Sequence, residues 1–221
     1  MKPTTTTGVV PSTITYARAG LWLLPVHAVL LGLSTLTHQP DPETAFPDYA
    51  RYVTTGVFLV SHLFASIVGA ALGLIGVVAA LAFLLRGPAV RAAVLGTVLT
   101  IGGSVLTTAV FGAAAFAQPA VGRAFLRGAP DAAAINADVY GTPLFATVGV
   151  GMLLLIAGGI AFGRAVARTG ERVYWAGIGY AVFLPLFVVS LFLFPSAQPF
   201  AAAALAAAAA VIAVRLPNAV R

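Results

Sequence analysis

An apolar run from about Val53 to Leu85 passes without a single Asp, Glu, Lys or Arg, and it limits the architectures open to the chain more than any other feature. A spanning helix needs about 20 predominantly apolar residues to cross a hydrocarbon core of about 30 Å. At about 1.5 Å per residue this run is roughly 50 Å long as one helix, so it must tilt, kink or protrude. Five further apolar runs lie at about 20–37, 92–117, 143–162, 173–194 and 200–214. Of 221 residues, 60% are hydrophobic and only 8% charged, whereas a soluble domain is about 25% charged. The expectation is an all-α integral membrane bundle of six transmembrane helices over residues 17–221, in contact with the lipid bilayer. Residues 1–16, rich in threonine with Pro3 and Pro11, read as a mobile cytoplasmic tail. No apolar run follows Lys2 closely enough for a secretory signal, so the run from about Gly20 reads as a retained first helix.

Punctuation between the runs agrees with six. Gly87 and Pro88 end the second, because proline cannot continue the hydrogen-bond ladder. Asp131 is placed to cap a short helix before Gly141, and Thr142 with Pro143 makes a helix start. Tyr174 and Trp175 suit an interface, and Pro185 predicts a kink. The last run is mostly alanine and must lean on neighbours.

Charge placement supports the same count. Lys2, Arg18, Arg86, Arg91, Arg164, Arg168, Arg172, Arg215 and Arg221 fall on one side with Glu171; Arg51, Arg123 and Arg127 fall on the other with Asp41, Glu43, Asp48, Asp131 and Asp138. The sides carry +8 and −2, which make up the net +6. By the positive-inside rule both ends are cytoplasmic, in a bacterial plasma membrane. The basic excess is therefore an orientation signal and implies no nucleic-acid partner. Cysteine is absent, which removes disulfides and cysteine-ligated clusters or zinc.

Helices in lipid associate through small residues that let backbones approach. Ser61, Ala65, Gly69 and Gly73 recur every fourth residue on the second helix, Thr100, Ser104, Thr108 and Gly112 on the third, and Gly159 and Gly163 share that spacing on the fourth. These are expected to hold the bundle together, or to meet a membrane-protein partner or a second copy.

Ionisable residues inside a span are expensive and point to function, which directs attention to the histidines. His27, Leu31, Ser34 and His38 share one face of the first helix; Thr55, His62 and Ser66 share one on the second. Counted from the connection between the helices, His27 and His62 are expected at similar depth. Three chemistries follow: a b-type haem between His27 and His62, a proton or quinone site on one imidazole, and a divalent metal at the outer mouth on His38, Asp41 and Glu43. The plainer alternative is a neutral ring bonded to a carbonyl or hydroxyl, with His38 in a solvated, proline-stiffened loop. No nucleophile with a base and no paired intramembrane carboxylates are present, which speaks against a hydrolase or an ion-coupled transporter.

The stretch Leu36-Thr37-His38-Gln39-Pro40-Asp41-Pro42 through Val60-Ser61-His62-Leu63 to Gly69, Gly73 and Gly76 resembles uncharacterised small multi-spanning proteins of GC-rich bacteria. The resemblance covers the first third of the chain and implies no particular activity. The sequence thus leads to an accessory, scaffolding or binding component of a membrane assembly without catalytic machinery. A haem- or quinone-interacting subunit and a small-solute transporter stand as alternatives.

Overall fold

In the computed structural model, which describes residues 13–219, every regular element among those residues is helical. Six segments are long and apolar enough to cross a membrane: span 1 (Ile14–Ser34), span 2 (Gly56–Leu84), span 3 (Val90–Leu126), span 4 (Ala132–Ala167), span 5 (Glu171–Leu193) and span 6 (Pro195–Ala219). The chain is a polytopic all-α membrane protein. Large apolar side chains such as Val57, Ile75, Val98, Leu153 and Phe192 point outward, where acyl chains rather than water are their partners.

Boundaries differ from expectation in ways the chemistry explains. Residues 1–12 of the expected tail lie outside the described residues, but Thr13 to Tyr16 already belong to the first helix, with Ile14 packed against the core. Span 1 is interrupted at Trp22, because Pro25 has no N–H to offer the carbonyl of Leu21. Val53 to Thr55 do not open span 2. They end a separate amphipathic helix, Phe46–Val53, and the Thr55 side chain accepts a hydrogen bond from the Phe58 N–H as the cap of the next helix. Asp131 does precede a short helix, Ala132–Val139, without a capping bond from its side chain. Span 5 runs unbroken past Pro185.

The spans form a closed ring in chain order, each packed on the next, with span 6 returning to span 1. Close approach holds the ring. A Cβ on Gly103 of span 3 would stand 2.7 Å from the carbonyl oxygen of Gly151 of span 4, and one on Gly158 would stand 2.7 Å from the Thr100 amide. Gly163 faces the carbonyl of Gly177 on span 5, Gly159 faces Leu184, and Gly32 of span 1 meets Ala202 of span 6. On span 2, Gly69 faces Leu30 and Gly73 faces His27, while Ala65 is buried. The third-helix stripe is displaced from its expected register. Gly96, Thr100, Gly103 and Thr107 are the buried face, whereas Ser104 lines a cavity, Thr108 bonds back to the Ser104 carbonyl, and Gly112 has nothing within 4 Å.

Both described ends lie on one face, the terminal face; the connections after spans 1, 3 and 5 lie on the far face. The half of the ring nearer the terminal face is solid, filled by Leu21, Val77, Phe83, Phe162, Leu205 and Ile212. Toward the far face the ring is hollow. There Phe46–Val53 packs against residues 118–126 across Gly122, where a Cβ would stand 2.8 Å from Val53 Cγ2. The buried Tyr49 hydroxyl donates to Asn136 Oδ1 at 2.7 Å, and Arg51 pairs with Asp48 on the exposed side.

Candidate functional site

The hollow half contains a cavity of about 390 Å³, within the range of about 300–1,000 Å³ that holds small molecules. Every span contributes a wall residue: His27, Ser66, Thr100, Met152, Tyr180 and Gln198, in chain order. All three histidines of the chain line it. Among the described residues no Asp, Glu, Lys or Arg does.

His27 lies at the closed end. Its Nδ1 is 2.8 Å from the carbonyl oxygen of Gly69, and its ring rests on Gly73, the one residue type that leaves it room. His62 holds its Nδ1 3.0 Å from the Phe58 carbonyl oxygen and packs on the Phe58 ring with centroids 4.1 Å apart. A carbonyl only accepts, so in both neutral rings Nδ1 carries the proton and Nε2 is left as an acceptor. Neither Nε2 has a hydrogen-bond partner among the described residues. His62 sits in a π-helical stretch, Ser61–Val68. The i→i+5 ladder there widens each turn, and such stretches concentrate at functional sites. It brings Ser61, His62 and Ser66 to the same wall.

The expected equal depth of His27 and His62 is corrected. The His27 ring lies level with Gly69 to Gly73, whereas the His62 ring leans back toward Phe58. At least seven residues of span 2, most of them in the π-helical stretch, separate the two levels. The two imidazoles expected to face one b-type haem are therefore offset along the axis of span 2. Counting span 2 from Val53 overlooks the separate helix and its turn, which move His62 toward the far face.

The expected outer metal site does not assemble either. His38 stands exposed at the cavity mouth, but Asp41 uses Oδ1 to accept from the Glu43 N–H and Oδ2 to accept from the Thr44 hydroxyl. Among the described residues no three His, Asp or Glu side chains converge as a ligand set. The carboxylate expected to bind metal instead shapes the turn.

The hydroxyls divide into two groups. Ser34 and Thr107 satisfy themselves on carbonyls of their own helices. Ser61 Oγ and Thr100 Oγ1 are buried without a partner, and the Tyr180 hydroxyl makes no hydrogen bond although the residue is only 3% exposed. Sequence reasoning misses Tyr180; a lone tyrosine midway along an apolar span is the available signal. No protein-family model, curated protein or solved structure matches the chain.

Proposed function

We propose that this protein is a binding component of a bacterial plasma membrane, holding a small neutral, largely apolar molecule in the cavity between its spans and serving an assembly rather than catalysing a reaction itself. The observation that carries this reading is a six-walled cavity with polar atoms left unpaired and, among the described residues, no charged side chain on its lining. An anionic or cationic ligand would find no counter-charge there, and desolvating an unpaired charge is costly. A mostly apolar molecule gains from burial and can enter from the hollow half. Support for cytoplasmic ends is the arginine excess on the terminal face, including exposed Arg86, Arg91, Arg164, Arg168, Arg172 and Arg215.

The test is solvent extraction of protein purified in lipid nanodiscs, followed by mass spectrometry, beside Ser104→Trp, which fills the cavity. A species enriched with the wild type and lost from the variant is the expected result. Equal recovery from both would show that the cavity holds nothing specific and would overturn the reading.

A further inference from the structure

Two polar atoms without a hydrogen-bond partner among the described residues, His27 Nε2 and the Tyr180 hydroxyl, belong to residues that line the closed end of the cavity. His27 and Tyr180 stand 13 and 9 residues from the terminal-face ends of their spans at Ile14 and Glu171. They therefore share a level to within roughly one helical turn. Beneath them the bundle is solid: the Tyr180 ring packs on Phe162 with centroids 4.9 Å apart, and Leu24, Val77 and Phe162 are each no more than 1% exposed. Buried tyrosine hydroxyls and buried hydroxyls in general are almost always hydrogen-bonded. An unpaired phenol and an unpaired imidazole nitrogen, on two different helices and lining one cavity, suit a ligand that can both accept and donate a hydrogen bond.

Their chemistry is complementary in a specific sense. His27 Nε2 is an acceptor, because Nδ1–H is committed to Gly69. Tyr180 offers an O–H donor. A bare hydrocarbon would leave both unpaired. A carbonyl would accept from Tyr180 but set its own lone pairs against that of Nε2. A hydroxyl answers both, donating its proton to Nε2 and accepting from the phenol. Above this floor Phe111, Leu184 and Phe187 add apolar and aromatic surface among the hydroxyl-bearing residues of the wall.

We infer that the floor formed by His27 and Tyr180 is a hydroxyl-binding site, and that the cavity takes a neutral lipid-soluble molecule of the alcohol or quinol class, head inward. This rests on the cavity reading above and goes further by naming the head group. The same chemistry has two sources in a membrane, isoprenoid alcohols and quinols, and both present the same O–H.

The experiment measures equilibrium binding of four probes to the whole protein in nanodiscs: farnesol, its methyl ether, decylubiquinol and decylubiquinone. At least one hydroxyl probe should bind about tenfold or more tightly than its counterpart lacking the O–H. Preference for farnesol over the ether assigns an alcohol, and preference for decylubiquinol over decylubiquinone assigns a quinol. Tyr180→Phe, which keeps the ring on Phe162 and removes only the hydroxyl, should shrink the ratio while leaving the unfolding midpoint near that of the wild type. Equal affinity within both pairs would overturn the hydroxyl site, as would failure of all four probes to bind. If extraction then still yields a cavity ligand that Ser104→Trp lacks, the cavity reading survives with another head group; if extraction also yields nothing, both fall.

Discussion

The imidazole of His27 rests on Gly73 so closely that a Cβ built there would stand 2.7 Å from both Cγ and Cδ2 of the ring, while Nδ1 is tied to the Gly69 carbonyl a turn away. The position of the deepest histidine is thus set by a missing side chain on the neighbouring helix. Span 1 and span 2 meet through this contact, and the cavity floor depends on it.

Gly73→Ala is expected to destabilise the bundle by about 1–3 kcal/mol, because the overlap with a ring held on two sides outweighs the ~0.5–1 kcal/mol that alanine adds in helix propensity. Gly69→Ala should cost clearly less, since its nearest neighbour, the Leu30 Cβ, would lie at 3.3 Å. Unfolding midpoints in mild detergent would compare the two. Equal effects would mean that His27 is free to move.

A second pair of glycines distinguishes packing from mere abundance of small residues. Gly103→Ala must push neighbouring backbones apart, with the Gly151 carbonyl oxygen and Leu155 amide both 2.7 Å from the new carbon, and should cost about 1–3 kcal/mol. Gly112→Ala, with nothing within 4 Å, should be neutral or slightly stabilising. The same unfolding assay decides it, and a large loss at Gly112 would contradict the open surroundings described for it.

On the far face, Tyr49→Phe should destabilise by about 1–3 kcal/mol, since it strands Asn136 Oδ1 in a buried position. Burial pushes the Tyr49 phenol upward. The folded state therefore keeps its proton beyond the unfolded tyrosine value near 10. The contribution of the buried phenol is fully present below about pH 10 and declines as pH rises above it, because the unfolded chain then releases a proton that the folded chain retains. The difference in unfolding midpoint between wild type and variant, followed from pH 7 to 11, checks the sign. A difference that grows with pH would contradict it.

Orientation is testable because the chain has no cysteine. In intact cells a membrane-impermeant maleimide should label Ser196→Cys in the exposed turn that opens span 6 on the far face and leave Arg168→Cys on the terminal face unlabelled until the membrane is opened. The reverse pattern would invert the charge argument.

The number of spans, the approximate place of each and the contrast in charge between faces were legible in the chain, because lipid imposes its own arithmetic: backbone groups must be satisfied within each helix, and length and apolarity then suffice. The short helix after Asp131 was legible for a similar local reason. The start of span 2 was not. Val53 and Thr55 are as apolar or as neutral as true span residues, and only the packing of Tyr49, Ala50 and Val53 against residues 118–126 takes that segment out of the membrane helix.

The candidate site divides along the same line. By itself the sequence determined that His27 and His62 lie within spans and that no charged residue accompanies them there, since that follows from composition along one helix at a time. Only the tertiary structure decided that the histidines stand at different depths, that Thr100 turns toward Gly158 while Ser104 faces the cavity, and that Tyr180 joins His27 on one floor. Those facts depend on helix register and on π-helical widening. Both are set by how backbones settle against glycines of neighbouring spans, over distances in the chain that local periodicity does not reach.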